Sequence, residues 1–385
     1  MKILVVMGTR PEAIKLAPVV AALRRRKGLK TYVCATAQHR ELLDQALTLF
    51  ALKPDFDLDL MRPGQSPDAV AKRIFSSLGP LLARLKPDMV VVQGDTTTAA
   101  SAALCAYERG IPVAHVEAGL RSFDLNDPYP EERNRIVIDL LASLLFAPTP
   151  AARMNLVRER LLGRTVITTG NTVVDALRSA VPLTKESKPR GVREVLVTLH
   201  RREIHGAPFR RICAALIELV ETHADLTLVC PVHPNPAVFE TADRLLKHPR
   251  IRLLKPQPYP EFLGLMKRSL FIITDSGGLQ EEATCLGKPV LVVREKTERP
   301  EVITSGAGRL VGLDPRNLTL WAGKLLKNPA LLRRMSRVRN PYGDGRASQR
   351  VAAGVAHWFT LAPKPKDWKP FIQRRRRVIA QILSK

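Results

Sequence analysis

Three stretches of this 385-residue chain put carboxylates where acid–base chemistry needs them. "VVVQGDTTTA" sets Asp95 after an apolar run, "VAHVEAGLRS" sets Glu117 after the next, and "DPYPEERNR" adds Glu131 and Glu132 in a loop opening a helix. Separate carboxylates near one sheet edge suit proton transfer, provided neighbouring cations hold most of them ionised. Plainer readings stand beside these: Asp95 as an N-cap ahead of the threonine run, Glu131 as a helix-start acid. A different chemistry is written in "TDSGGLQEEA", where Ser276, Gly277 and Gly278 form a tight turn into a helix. Backbone amides at such a start suit a phosphate or diphosphate. Glu281 and Glu282 in its first turn either accept ribose hydroxyls or only favour the helix N-terminus. His200 in "VTLHRRE" ends a strand beside Arg201 and Arg202, which favours an anionic contact. His233 in "CPVHPNP" is weaker, because the flanking prolines mark a loop.

The elements that must position these residues follow from the apolar runs. "KILVVM", "TYVCAT", "MVVVQG", "VAHVEA", "LLFAPT" and "TVITTG" read as strands, with helix-period segments such as "ELLDQALTLF" and "AVAKRIFSSLGPLLARL" between most of them. This alternation predicts a doubly wound parallel sheet. After the polar stretch "TKESKPRGVRE" the pattern restarts with "VLVTLH", "LTLVCPVH", "IRLLKP", "LFIITDSGG", "PVLVV" and "RLVG". The expected architecture is α/β, with two Rossmann-like domains hinged near residues 170 to 190. The boundaries read as 1–172 for the domain carrying the acids, 173–347 for the second, 348–362 for a closing helix and 363–385 for a basic extension. Ligands in such sheets collect at the carboxyl ends of strands, where all the candidates fall. The missing G-x-G-x-x-G fingerprint argues against a dinucleotide cofactor.

Composition narrows the class. Hydrophobic residues at 45% and charged residues at 25% suit a soluble globular protein. No apolar run nears the roughly 18 residues of a membrane-spanning helix, and the start has neither a basic n-region nor a cleavage site. Five scattered cysteines without a CxxC pair point to reduced thiols in a cytoplasm and against zinc. The net charge of +25, of which +7 lies in residues 363–385, favours anionic partners. The body of the chain carries no nucleic-acid recognition motif, so none is expected as partner.

Taken in order, "GTRPEAIK", "TAQHRELLDQ", "GDTTTA", "HVEAGLR", "PEERNR", "TGNTVVDAL", "HRRE", "PVHPNP", "TDSGGLQEEA", "LGKPVLVV", "TERPE" and "NPYGDGRAS" resemble the bacterial non-hydrolysing UDP-N-acetylglucosamine 2-epimerases from residue 1 to about 355. The resemblance implies a GT-B-type fold with an interdomain cleft, a homodimer, and no metal or cofactor. It implies that Arg10 and Lys15 meet the diphosphate of a UDP-sugar, with Gly8 turning the backbone and Pro11 pre-setting the helix. It assigns Ser276, Gly277, Gly278 and Glu282 to the UDP site, Arg299 and His200 to charge near the diphosphate, and Gln257 and Phe262 to the uracil. Asp95, Glu117 and Glu131 match the catalytic acids, and His200 joins them in the catalytic set. Gln38, Glu131 and His233 match a site for a second, activating UDP-N-acetylglucosamine.

The implied reaction eliminates UDP across sugar carbons 1 and 2, giving 2-acetamidoglucal, and adds it back with the other configuration. It would supply UDP-N-acetylmannosamine for surface polysaccharide precursors. Departures leave alternatives open. "GLRSFD" resembles a sister branch acting on UDP-diacetamido-glucuronic acid, and Leu199 stands before His200 where a small residue is usual. A hydrolysing epimerase releasing N-acetylmannosamine is the closest rival. The basic extension has no family counterpart. It reads either as a solvated tail or as an anionic-lipid contact through Trp368, Phe371, Ile372, Ile379 and the "RRRR" run.

Overall fold

The computed structural model describes residues 1–370 apart from 39, 63, 184–192, 202, 203, 205 and 233–235. Its first sheet holds seven strands: β1 (Lys2–Met7), β2 (Lys30–Ala35), β3 (Phe56–Asp57), β4 (Met89–Gln93), β5 (Val113–Val116), β6 (Leu144–Ala147) and β7 (Thr165–Thr168). The second holds six: β8 (Arg193–Thr198), β9 (Leu226–Pro231), β10 (Ile251–Leu254), β11 (Ile272–Thr274), β12 (Val290–Val292) and β13 (Gly308–Leu310). Strand order is β3-β2-β1-β4-β5-β6-β7 in one and β10-β9-β8-β11-β12-β13 in the other, with parallel pairing throughout. The expected two-domain α/β architecture of GT-B type is what the chain adopts. Central strands such as β4 are buried at every residue, which is why they read as unbroken apolar runs.

In both sheets the order reverses beside the first strand, between β1 and β4 and between β8 and β11. The loops and helix starts that follow those four strands carry Arg10, Asp95, His200 and Ser276. One buried apolar cluster joins the two sheets through Val173, Ala176 and Ala180 of the Thr172–Ala180 helix, which packs on both the Arg10–Arg24 and the Gly277–Cys285 helices. Separate clusters fill the far face of each sheet. The closing helix, Ala347–Trp358, returns to the first half and packs on the Arg10–Arg24 and Thr172–Ala180 helices. Asp175 holds its start, accepting from the Ala347 and Ser348 amides at 3.1 and 2.9 Å. Residues 184–192 of the expected hinge lie outside the described residues.

The basic extension needs a correction. Lys364, Lys366 and Lys369 are exposed as a solvated tail requires, but Trp368 cannot meet lipid: it is 7% exposed, and its amide donates to the Thr168 carbonyl at 2.7 Å. The neighbouring Asp367 carboxylate accepts from the Thr168 amide at 2.7 Å. Thr168 belongs to β7, an edge strand whose outward polar groups need partners. Phe371, Ile372, Ile379 and the arginine run lie outside the described residues. Among the described residues no helix is long and apolar enough to cross a membrane. All five cysteines are free.

Candidate active site

The loop after β1 is built by its own sequence. Thr9 is the extended N-cap of the Arg10–Arg24 helix, and Pro11 sits in the first turn, where the missing N–H costs nothing. Glu12 Oε2 accepts from the Gly8 amide at 3.0 Å and from the Thr9 amide and hydroxyl at 2.8 Å each. Its other oxygen accepts from Thr96 Oγ1 at 2.7 Å, next to Asp95. Burial pushes this carboxyl up to about 7, against the pull of those hydrogen bonds. Glycine is required at position 8 for room, and its backbone lies outside the left-handed region. A Cβ there would lie 2.3 Å from Thr98 Oγ1 and 2.4 Å from Thr36 Oγ1.

One helical turn on, the Lys15 ammonium lies 2.5 Å from Glu117 Oε2 and 3.3 Å from Glu281 Oε2. Burial pulls it down, but the two carboxylates outweigh burial and hold it above its ordinary value. Arg299 completes a ring, with Nε 2.9 Å from Glu281 Oε1 and Nη2 3.3 Å from Glu117 Oε1. Its Nη1 reaches Glu298 Oε1 at 2.5 Å. Glu117 also accepts from Asn171 Nδ2 at 3.1 Å. Its φ of +73° is costly for a residue with a side chain. The loop sustains it because the Glu117 and Ala118 amides both donate to the Phe146 carbonyl.

Asp95 and Glu131 form a second group. Burial raises Asp95, but Arg135, whose Nη2 is 2.5 Å from Oδ2, outweighs it and leaves the carboxyl below its ordinary value. Glu131 moves the other way, raised by burial and then by Asp95, with Arg201 opposing. Its Oε2 is buried without a hydrogen-bond partner. Two neighbouring carboxyls pushed in opposite directions are the usual sign of paired acid and base roles. Glu132 does structural work instead: it accepts from the Ser122 and Phe123 amides and pairs with Arg135 at 2.5 Å.

The second half contributes a helix start whose first turn carries no acid, Glu281 and Glu282 lying beyond it and not within it as expected. Ser276 caps the Gly277–Cys285 helix, and a Cβ at Gly277 would lie 2.4 Å from Arg299 Nη1. Asp275 Oδ2 accepts from the His200 and Arg201 amides at 2.8 Å each, and its Oδ1 is 3.2 Å from His200 Nδ1. Arg10 donates across the cleft to the Gln257 carbonyl at 3.4 Å. Glu282 accepts from Tyr259 Oη at 3.1 Å, and burial pushes it up to about 7. Phe262 is half-buried on the joined core. Gln38 accepts from Thr98 Oγ1 at 2.8 Å, on the first-half side of the loop bearing Asp95. His233 lies outside the described residues. Glu12, Arg135, Asp275 and Glu298 were missed as site residues, although all sit within the motifs quoted above. Glu281 was read only as a ribose or helix-start acid.

Known proteins with this arrangement identify the family. The sequence profile for UDP-N-acetylglucosamine 2-epimerase matches residues 21–356. The chain belongs to that family. The UDP-N-acetylglucosamine 2-epimerase of Escherichia coli K12 is 47% identical over 365 residues, spanning 91% of this chain and 97% of its own. The S. aureus MnaA–UDP co-structure is 41% identical with a TM-score of 0.91, covering 96% of this chain and all of that one. The Neisseria meningitidis UDP-GlcNAc 2-epimerase bound to UDP-GlcNAc is 42% identical with a TM-score of 0.89, over 94% of this chain and 100% of its own. A kitacinnamycin glycotransferase, 15% identical with a TM-score of 0.62, shares the fold alone. The family's members are epimerases, and the isomerase class expected from the motifs stands.

Proposed function

We propose that the chain interconverts UDP-N-acetylglucosamine and UDP-N-acetylmannosamine without hydrolysis, in a cleft between residues 1–172 and 173–347. The observation that carries the reading is the convergence of Asp95, Glu117 and Glu131 on cations from both halves, opposite the Gly-Gly helix start. The hydrogen on carbon 2 of the sugar is too weak an acid for simple abstraction beside an acetamido group. Elimination removes that obstacle. A carboxylate takes the carbon-2 proton, the freed electron pair forms the carbon 1–carbon 2 double bond, and the carbon 1–oxygen bond breaks with its electrons on the departing UDP. Return of a proton to the opposite face and of UDP to carbon 1 gives the epimer. Asp95 and Glu117 serve nearest carbon 2, with Glu131 in proton transfer.

Arg10, Lys15, His200 and Arg299, with the amides after Ser276, stabilise the leaving diphosphate in a water-poor site. Gln257 and Phe262 hold the uracil, and Glu282 the ribose. A second UDP-N-acetylglucosamine beside Gln38, Glu131 and His233 acts as activator, and the enzyme works as a cytoplasmic homodimer supplying surface polysaccharide precursors. The named ligands of the S. aureus and N. meningitidis relatives support the UDP-sugar assignment.

The test is incubation with UDP-N-acetylglucosamine in deuterated water, followed by proton NMR. UDP-N-acetylmannosamine deuterated at carbon 2, with little free sugar, is expected. Free N-acetylmannosamine plus UDP would move the chain to the hydrolysing reaction. Absence of exchange would point to another UDP-sugar.

A further inference from the structure

Glu281 has no part in the reaction proposed above, yet it is fully buried at the meeting of the two halves. It stands on the Gly277–Cys285 helix of the second half and reaches two cations of different origin. Lys15 comes from the first half, at 3.3 Å, and Arg299 from the second, at 2.9 Å. Those same cations hold Glu117, one on each carboxylate oxygen, at 2.5 and 3.3 Å. Glu117, Lys15, Glu281 and Arg299 thus form a closed ring of alternating charge, and two sides of that ring cross the cleft.

We infer that Glu281 is a positioning residue that ties the orientation of Glu117 to closure of the cleft. The inference rests on the reading of Glu117 as an acid–base group. An ammonium on a four-carbon stem follows its carboxylate through many positions, so Lys15 alone fixes little. With Glu281 on its other side, Lys15 has one place to be, and only when the halves are together. Arg299 is constrained likewise: without Glu281 its guanidinium can turn towards Glu298, already 2.5 Å from Nη1. With both partners fixed, the Glu117 carboxylate has a defined plane facing the sugar. With the cleft open, it has Lys15 and Asn171 only.

The electrostatic consequence has a definite sign. Groups facing Glu281 are Lys15 from the Arg10–Arg24 helix, Arg299 before the Pro300–Thr304 helix, Glu117 after β5, Glu282 and Cys285 on its own helix, and Tyr342 ahead of the closing helix. Burial and then Glu117 push the Glu281 carboxyl up, while Arg299 and Lys15 pull it down. The repulsion between the two carboxylates is mutual. Removing the charge of Glu281 takes that repulsion out of the ring and leaves Lys15 and Arg299 to Glu117 alone, so less acid-sensitive turnover is the expected readout.

The experiment compares wild type, Glu281→Gln and Glu281→Asp in kcat, KM and UDP affinity across pH, with deuterium exchange at carbon 2 and a thermal melt. Glu281→Gln is expected to lower kcat about 10- to 100-fold, the scale of an ångström's misplacement of a reacting group. KM and UDP affinity change far less than kcat, and the acid limb of kcat moves to lower pH. Glu281→Asp keeps the charge and returns the acid limb to its wild-type place, but recovers kcat only in part. Should the glutamine variant fail to fold, the aspartate variant decides: a wild-type limb with reduced kcat supports the inference, and wild-type kcat overturns it. A folded Glu281→Gln with wild-type kcat and limb, or one losing UDP affinity in step with kcat, overturns the inference alone. A wild-type chain that exchanges no deuterium overturns the functional reading itself.

Discussion

Two loops at the same topological place are built by opposite means. Leaving β1, the Gly8 and Thr9 amides are gathered by Glu12, three residues beyond Thr9 in the helix that follows. Leaving β8, the His200 and Arg201 amides are gathered by Asp275, which lies 75 and 74 residues further along, at the end of β11. The first loop takes shape with its own helix, while the second waits for a neighbouring strand. The two edges differ in chemistry as well. Strand ends of the first sheet carry Asp95 and Glu117, each against a cation at 2.5 Å. The second presents the start of a Gly-Gly helix. In the function proposed above, duplicated topology gives one half the means to move protons and the other the means to hold an anion.

That division can be broken most sharply at Glu117. Glu117→Gln keeps the shape and removes the base, and a fall in kcat of about a thousandfold is expected, within the usual range for a positioned acid–base group. Calorimetry should find UDP binding nearly unchanged; a parallel loss of UDP would mean the acidic edge also binds. The next effect concerns the local loop. Glu12 titrates near 7 in the fold instead of its ordinary 4.5, because burial outweighs its hydrogen bonds. The native state therefore holds its proton more tightly than the unfolded chain, so this residue's contribution to stability falls as pH rises from 4.5 to 7 and levels off above. At about 1.4 kcal/mol per pKa unit the fall is about 3 kcal/mol. Urea denaturation of Glu12→Gln across that window should lack this component, and curves parallel to wild type would count against it. The smallest effect belongs to the anion-holding edge. Gly277→Ala sets a methyl 2.4 Å from Arg299 Nη1 and 2.6 Å from Glu298 Oε1. UDP affinity should drop roughly tenfold, about 1.4 kcal/mol, and because the methyl also displaces Arg299 from Glu117, the carbon-2 exchange rate at saturation should fall with it.

Much of this was legible in the residues. β1 and β4 announce themselves because burial on both faces demands unbroken apolar runs, and a strand followed by a polar residue marks a sheet's carboxyl edge. Asp95, Glu117 and Ser276 were found that way. β3 was not, since two edge residues, one half-buried and one exposed, carry no pattern. The resemblance implies a diphosphate contact for Arg299, but its grip on Glu117 joins residues 182 apart, a separation no local spacing reveals. Trp368 was misread for a related reason. Its basic neighbours describe a solvated tail, whereas the open polar groups of β7, two hundred residues earlier, decide where it goes.

The return of the chain to its first half governs how the protein can be made. The Arg10–Arg24 and Thr172–Ala180 helices are covered by a helix that begins at Ala347, and the β7 edge by residues 367 and 368. During synthesis at about 5–20 residues per second, that surface stands uncovered for roughly ten to forty seconds after its own sequence has emerged. The first half is complete as sequence long before it is complete as a folded body, and its apolar flank is the place where a nascent-chain chaperone has something to hold.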